Sequence, residues 1–331
     1  MVDMQVSIGD VVLANPVMPG SGTFAEGMAS VFDLNRLGAI VTKTITDDIR
    51  EGNPPPRLAE YRDATLFSIG IPSKGVKYYL EETLAHYRDY STPVVASISA
   101  TTVEGFGALA AKLARSGVVA IEANVSCPNL KKDGKAFGMD PEATYQVVRA
   151  MKTAVDLPVW PKMTPNASDV IGVAQAAEAA GADAIVASNA LLAMGIDVET
   201  RRPRVANLMG GLTGRATKPV MLRFAYQCAN AVSIPVIGCG GISSAEDAIE
   251  YLLAGVCAVQ VGTANFVSPN AMPDIIDGIE QYCLRHGVAR VSDLVGAMIP
   301  AAPVPLTVSQ SESAEAPVSG ALGGASGTFA G

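Results

Sequence analysis

The chain has 331 residues, 49% of them hydrophobic, and a formal net charge of −8. This length and apolar content suit one large α/β barrel domain, while the acidic balance argues against a nucleic-acid partner, which clustered basic residues would bind. The sequence has no run of about eighteen apolar residues and no signal-like start, so we expect a cytoplasmic protein that does not bind a membrane.

Short apolar runs rich in β-branched residues alternate with helical stretches from about residue 12 onward, a pattern typical of parallel strands buried on both faces. Before them, alternating apolar residues around Gly9 and Asp10 predict an N-terminal β-hairpin at the bottom of the barrel. The eight predicted strands are residues 16–18, 39–42, 93–97, 120–124, 158–162, 184–187, 235–238 and 258–261.

The segments 102–117, 167–181 and 243–255 each open near Ser, Thr or Asn and end at Gly, as helix capping predicts. Eight βα units favour a closed (β/α)8 TIM barrel over a doubly wound open sheet, which produces a similar alternation. We therefore predict one catalytic domain over residues 1–300. Residues 301–331 are rich in Ala, Gly, Ser and Pro without periodicity, which predicts a flexible tail.

Active sites of such barrels lie at the C-terminal ends of the strands, so polar residues there are the first functional candidates. Lys43 and Lys162 stand at the ends of the second and fifth predicted strands. A buried ammonium needs an anionic or electron-rich partner, and the N1/C2 carbonyl region of a flavin is one. The alternative is a pair of surface lysines beyond the strands.

The fourth predicted strand ends in the motif NVSCPN, from Asn124 to Asn129. Asparagine offers donors and acceptors that suit a planar amide ring, and Cys127 lies on the loop, where it is our candidate for proton transfer. The five cysteines include no C-x-x-C pair, so no disulfide framework, zinc site or iron–sulfur site is indicated. We interpret three others as inert buried thiols: Cys228, Cys257 and Cys283.

Two glycine-rich turns, Gly238 to Gly241 and Gly262 with Thr263, follow the last two predicted strands. In α/β barrels these two loops commonly hold a phosphate through backbone N–H groups, which glycine allows to come close. The turns therefore predict a ligand that carries a phosphate, with tight turning alone as the alternative.

The motif NVSCPN, followed by GKAFG at Gly134 to Gly138, resembles the active-site loop of the dihydroorotate dehydrogenases whose base is cysteine, class 1 of that family. Residues 188–219 resemble the matching region of subtype B, and the resemblance extends from about residue 6 to 296. It implies an FMN-dependent enzyme of pyrimidine biosynthesis that oxidises dihydroorotate to orotate.

The resemblance also implies residue roles. Cys127 would take a proton from C5 of the substrate while hydride passes from C6 to flavin N5. The implied substrate-binding residues are Lys43, Ser68, Gly70, Asn124, Asn129 and Asn189. The implied cofactor-binding residues are Ser21, Lys43, Thr44, Ser97, Asn124, Lys162, Ser188, Gly214, Gly240, Gly241, Gly262 and Thr263.

Subtype B further implies a homodimer core and a partner subunit with FAD and an iron–sulfur cluster that passes electrons to NAD. The chain itself lacks cysteines for that cluster and a strand-one G-x-G-x-x-G fingerprint. We therefore expect an external electron acceptor, and we predict no metal site in this chain.

The segment 67–75 departs from the substrate loop of the family, N-x-x-G-x-x-N-x-G, because Phe67 and Ser73 replace both asparagines. Losing one substrate hydrogen bond costs about 1 to 3 kcal/mol when the partner is left buried. Binding of orotate then depends on compensation by Ser68, Ser73 or Lys74. Phe67 either stacks on a substrate ring or packs in the core.

Two further positions differ from the family: Ser97 stands where an asparagine near the flavin is usual, and Ala190 where a hydroxyl residue is usual. These departures favour one alternative, a flavin oxidoreductase that acts on a different cyclic amide or unsaturated ring. A second alternative is a phosphate-binding barrel without redox chemistry, which would stay colourless when FMN is added.

Overall fold

A computed structural model describes residues 2–126 and 136–300 of the chain. The chain up to Met298 groups into one compact unit, whereas the predicted tail, residues 301–331, lies outside the described residues. The strands are β1 (Val6–Ile8), β2 (Val11–Leu13), β3 (Val17–Pro19), β4 (Ile40–Val41), β5 (Leu58–Glu60), β6 (Thr65–Phe67), β7 (Val94–Ile98), β8 (Ala120–Asn124), β9 (Val159–Lys162), β10 (Ile185–Ala187), β11 (Leu191–Met194), β12 (Ile196–Asp197), β13 (Arg202–Pro203), β14 (Met209–Thr213), β15 (Val236–Cys239) and β16 (Ala258–Val261).

The helices cover much of the chain between the barrel strands. The α-helices are α1 (Gly75–Tyr78), α2 (Leu84–Tyr87), α3 (Val103–Leu113), α4 (Pro141–Ala154), α5 (Val170–Ala179), α6 (Lys218–Ala229), α7 (Ala245–Leu253), α8 (Ala264–Val267) and α9 (Ala271–His286). A π-helical segment, Tyr79–Thr83, joins α1 to α2.

Eight strands form one parallel sheet in the order β3-β16-β15-β10-β9-β8-β7-β4. Each barrel strand pairs with the next one along the chain, except that β3 and β4 form the two ends of this order. These two ends also meet, because the N–H of Gly38, just before β4, donates to the carbonyl oxygen of Val17 in β3 at 2.9 Å. The predicted (β/α)8 barrel is thus confirmed, and each predicted strand boundary lies within one residue of the observed one.

The three helices predicted from capping signals are α3, α5 and α7. The hydroxyl of Thr102 accepts the N–H of Gly105 at 3.0 Å, and Ser244 forms a capping box with Asp247. Helix α5 is capped by the Asp169 side chain. These side chains satisfy N–H groups that a helix start leaves without partners, which fixes where each helix begins.

The N-terminal hairpin is also confirmed, since β1 and β2 pair antiparallel with Val6 opposite Leu13. Ile8 and Leu13 are fully buried in the main core cluster together with barrel residues. Gly9, at the hairpin turn, lies near the carbonyl oxygen of Asp183, just before β10. The hairpin therefore covers the N-terminal end of the barrel, opposite the mouth where active sites lie.

A second sheet, of four antiparallel strands in the order β11-β14-β6-β5, was not predicted. Strands β5 and β6 lie in the loop after β4, and β11 and β14 lie in the loop after β10. Because both loops follow barrel strands, this sheet stands at the C-terminal side of the barrel. Phe67 of β6 pairs with Gly211 of β14, which places the predicted substrate loop beside this sheet.

We expect Gly38→Ala to weaken closure of the barrel. A Cβ on residue 38 would lie 2.0 Å from the carbonyl oxygen of Asn15, whereas a Cβ on Gly27 would meet nothing within 4 Å. Overpacking of this kind costs about 1 to 3 kcal/mol, measurable as a lower free energy of unfolding in urea. Gly27→Ala serves as the control, and equal urea midpoints for the two variants would contradict the prediction.

Candidate active site

Four polar side chains from four barrel strands meet inside the barrel. They are Ser97 of β7, Glu122 of β8, Lys162 of β9 and Gln260 of β16, and they are between 0% and 4% exposed. In the sheet, β16 is separated from β9 by β15 and β10. Contacts between these strands must therefore cross the interior of the barrel, where side chains stack in layers.

The four side chains form a continuous set of polar contacts. Lys162 Nζ donates to Gln260 Oε1 at 2.7 Å, and Gln260 Nε2 donates to Glu122 Oε2 at 2.7 Å. Ser97 Oγ donates to Glu122 Oε1 at 3.0 Å, and Lys162 Nζ lies 3.9 Å from Glu122 Oε2. Buried charges need such pairing, so each charge here is stabilised by the other.

Lys162 stays protonated at this depth. Burial by itself would lower its pKa, but the neighbouring Cys239 and Glu122 outweigh burial, and the pKa of Lys162 is raised. The pKa of Cys239 is itself raised, mainly by burial. Glu122 is the carboxylate that faces the ammonium, at 3.9 Å. The result is a fixed cation whose ammonium also lies 3.5 Å from Ser21 Oγ.

A second line of hydrogen bonds runs along the mouth of the barrel. Thr44 Oγ1 lies 2.9 Å from Ser97 Oγ, and Asn124 Nδ2 donates to Thr44 Oγ1 at 3.3 Å. Ser126 Oγ donates to Asn124 Oδ1 at 2.8 Å and accepts from Asn189 Nδ2. The structure thus connects four residues that were predicted from the sequence with Ser126, which was not predicted. The four are Thr44, Ser97, Asn124 and Asn189.

Lys43 differs from Lys162. Its side chain is exposed to solvent, yet surrounding protein atoms at the end of β4 desolvate the ammonium and lower its pKa. Within residues 2–126 and 136–300 the Lys43 ammonium makes no hydrogen bond or ion pair. Since no described residue pairs with it, this cation at the mouth of the barrel is available to an anionic ligand.

The turn after β15 requires its glycines. Gly240 and Gly241 have φ of 126° and 72°, and a Cβ on them would lie 2.6 Å from Met221 Cγ and from Lys218 N respectively. Among the described hydrogen bonds, none uses the N–H of Gly241 or Thr263 as a donor. These N–H groups at adjacent strand ends are free to bind an anion.

The turn after β16 adjoins two other loops. Gly262 lies beside Gly20, where a Cβ on Gly20 would be 3.5 Å from the Cα of Gly262. Thr263 Oγ1 lies 3.0 Å from Thr213 Oγ1, and the next residue, Gly214, has φ of 113°. The predicted phosphate residues thus belong to neighbouring loops at one side of the mouth.

The predicted substrate loop is held by its own contacts. Ser68 Oγ accepts Asn53 Nδ2 at 2.9 Å, and Gly70 packs against the same asparagine. Ser73 Oγ accepts the backbone N–H groups of residues 46 and 75 at 3.1 Å each. Lys74 Nζ donates to Tyr78 OH at 3.0 Å. All three residues considered for compensation, Ser68, Ser73 and Lys74, are therefore already engaged within the protein.

Phe67, Ala190 and Gly211 form an apolar corner at the side of the mouth next to Asn189. A Cβ on Gly211 would lie 2.9 Å from Phe67 Cζ and 2.8 Å from the Cβ of Ala190. Phe67 is half-buried and is not part of the buried core clusters. Of the two roles considered for Phe67, stacking on a substrate ring or packing in the core, the geometry favours the first.

Other predicted residues fall in different places. Ser188 is buried, with its hydroxyl donating to the carbonyl oxygen of Asn189 at 3.2 Å. Cys127 and Asn129 lie outside the described residues.

Burial raises the pKa of Cys228 to about 11 and of Cys257 to about 12, which agrees with their interpretation as inert thiols. In the described part of the chain, no cluster of three or more potential metal ligands occurs.

The described helices include none that is long and apolar enough to cross a membrane.

Sequence reasoning missed Glu122 and Gln260, although a signal was present. Each is a polar residue inside an otherwise apolar strand, and a buried polar group needs a partner.

The sequence profile of a family described as dihydroorotate dehydrogenase matches residues 3–283. Curated proteins named "Dihydroorotate dehydrogenase B (NAD(+)), catalytic subunit" are similar over most of their length. That of Desulforamulus reducens is 47% identical over 298 residues, covering 89% of this chain and 98% of the relative. That of Thermoanaerobacter pseudethanolicus is 44% identical over 298 residues, with 89% and 99% covered.

We expect Lys43 to be acylated at lower pH than Lys112, which is exposed and paired with Asp47. A lowered pKa increases the fraction of neutral, nucleophilic amine at a given pH, by about tenfold for each unit. Competitive labelling with acetic anhydride between neutral and alkaline pH, read by peptide mass spectrometry, measures both residues in one sample. Slower labelling of Lys43 across this range would contradict the lowered pKa.

Proposed function

Because this chain belongs to the dihydroorotate dehydrogenase family, we propose that it oxidises dihydroorotate to orotate in pyrimidine biosynthesis as a catalytic subunit of the B type. The observation that carries the proposal is the match over residues 3–283, together with 47% identity to a relative that is covered over 98% of its length. The barrel, the buried cation and the mouth asparagines support it.

The cofactor in this proposal is FMN, and the described residues fit it. The N–H groups of Gly241 and Thr263, which have no acceptor among the described residues, suit a phosphate, with Gly214, Gly240 and Gly262 in the adjoining turns. Lys162 supplies a protonated amine for the electron-rich edge of a flavin ring. When bound, FMN supplies the acceptor for a hydride from the substrate.

The other proposed flavin contacts are Ser21, Lys43, Thr44, Asn124 and Ser188. Ser97 is fully buried, with its hydroxyl between Thr44 and Glu122. We therefore propose that Ser97 acts by orienting Thr44 and does not itself touch the ring.

The proposed substrate site lies between the hydrogen-bonded line of Asn124, Ser126 and Asn189 and the exposed Lys43. The two asparagines offer amide groups to a cyclic amide, and Lys43 offers charge to a carboxylate. Cys127, which follows Ser126 in the sequence, is the proposed base that takes a proton from C5 of the substrate. Asn129, Ser68 and Gly70 complete the proposed contacts.

The proposal includes assembly and domain organisation. The relatives are named catalytic subunits of NAD(+) enzymes, and we propose a homodimer core that passes electrons to a partner subunit with FAD and an iron–sulfur cluster. Residues 1–300 form the catalytic domain of this proposal, and residues 301–331 lie outside the described residues. The four described cysteines are free thiols, which supports a cytoplasmic location.

The apolar corner of Phe67, Ala190 and Gly211 favours a second candidate, in which the same flavin chemistry acts on another cyclic amide or unsaturated ring. An apolar surface offers no hydrogen bond to a polar ring edge, so a substrate with an apolar substituent on that side would lose less on binding. Perturbation of the flavin absorbance by orotate and by other ring ligands compares the two candidates.

An anaerobic titration of FMN-reconstituted protein with dihydroorotate tests the main proposal. We expect the flavin absorbance to bleach as the cofactor is reduced. Bleaching by other dihydro rings but not by dihydroorotate would establish the second candidate instead. Failure to bind FMN would overturn both.

We expect Cys127→Ala to retain FMN but to lose reduction of the flavin by substrate by about 10²- to 10⁴-fold, the usual contribution of a general base. Stopped-flow reduction under anaerobic conditions measures the rate. Cys257→Ala is the control, because Cys257 precedes β16 at the opposite end of the barrel and should keep the native rate. A native rate in Cys127→Ala would remove this cysteine from its role.

A further inference from the structure

Glu122 and Gln260 have no role in the proposed chemistry, yet both are fully buried beneath the mouth of the barrel. With Lys162 they form a group that we call the charge bridge. The amide of Gln260 connects the other two: its oxygen accepts from Lys162 Nζ and its nitrogen donates to Glu122 Oε2, each at 2.7 Å. Only this orientation of the amide satisfies both neighbours.

The charge bridge is specified by more than one contact. Ser97 donates to the other carboxylate oxygen of Glu122, so both oxygens have partners and the side chain is fixed in place. The remaining described neighbours of the Lys162 amine are weaker partners, Ser21 Oγ at 3.5 Å and the thiol of Cys239. The position of the ammonium thus depends on Gln260, and the orientation of Gln260 depends on Glu122.

We propose that Glu122 is a positioning residue that acts through Gln260 to hold the Lys162 ammonium at the flavin site. This inference rests on the proposed function, because it assigns a flavin to the ligand above Lys162. Glu122 itself touches neither flavin nor substrate. Its carboxylate balances the charge of a lysine that burial would otherwise tend to neutralise.

The substitution Glu122→Gln tests the bridge with little change in shape. It removes the negative charge that faces Lys162. If the new amide keeps its oxygen toward Gln260, its nitrogen donates to Ser97, and the contacts are kept without the counter-charge; if it turns its nitrogen to Gln260, the amide of Gln260 cannot serve both this donor and Lys162. In either orientation the ammonium loses stabilisation, and the positive charge at the flavin site is weakened.

We expect Glu122→Gln to weaken FMN binding by about tenfold, because the Lys162 ammonium loses its counter-charge, and to shift the flavin midpoint potential to more negative values. FMN affinity is measured by quenching of flavin fluorescence. The melting temperature of the apo-protein should also fall, and this second readout requires no flavin.

The exchange variant, Glu122→Gln combined with Gln260→Glu, restores every contact with the two groups reversed. The carboxylate then faces Lys162 directly, and the amide at position 122 donates to it while accepting from Ser97. We expect FMN affinity, midpoint potential and apo-protein melting temperature to return close to wild-type values. In a Lys162→Met background, Glu122→Gln should cause no further loss of FMN affinity, because its effect passes through the lysine.

Asp183→Asn is the matched control, since it breaks a different partly buried ion pair, with Lys152 at 2.8 Å, near the opposite end of the barrel. It should lower the melting temperature without changing FMN affinity. Native FMN affinity in Glu122→Gln, or an exchange variant that recovers its melting temperature but not its FMN affinity, would overturn the inference. Absence of FMN binding by the wild-type protein would instead overturn the proposed function, and with it the flavin role of the bridge, while recovery of the apo-protein melting temperature would still establish the contacts.

Discussion

The site depends on one electrostatic constraint: a lysine can remain charged inside a barrel of apolar strands only if its charge is matched at the same depth. Glu122 meets this constraint from β8, and Gln260 of β16 connects it to Lys162 of β9. Strands β8 and β9 are neighbours in the sheet, but β16 is a neighbour of neither, so the contacts of Gln260 form only when the barrel is closed. Closure of the barrel and charge balance are therefore coupled. The hydrogen-bonded residues at the mouth depend on both, because Ser97 connects Glu122 to Thr44.

Much of the fold could be predicted from the sequence because local patterns determine it. The eight barrel strands are apolar runs between helices that start at capping residues such as Thr102 and Ser244, and both signals lie within a few residues. The four-stranded sheet at the mouth was missed for the opposite reason. Its strands are short, and its pairing of Phe67 with Gly211 depends on tertiary contacts rather than on periodicity.

The candidate site shows the same division. Lys162, Asn124 and the glycine turns could be predicted because strand ends and glycines are visible in the sequence. The partner of Lys162 could not, since Glu122 and Gln260 are separated by 138 positions. The apolar corner next to Asn189 is likewise built from three separate segments of the chain. The sequence shows that Phe67 and Ala190 differ from the family, but not that they lie close together.

The small sheet at the mouth ties two barrel loops together through the pairing of β6 with β14. One loop carries the segment from Phe67 to Gly75, and the other ends at Gly214, next to the proposed phosphate turns. An insertion or deletion within β6 or β14 would shift the register of the shared strands and turn alternate side chains to the wrong face. A new substrate preference is therefore reached more readily by replacing side chains on this frame than by changing the length of its paired strands.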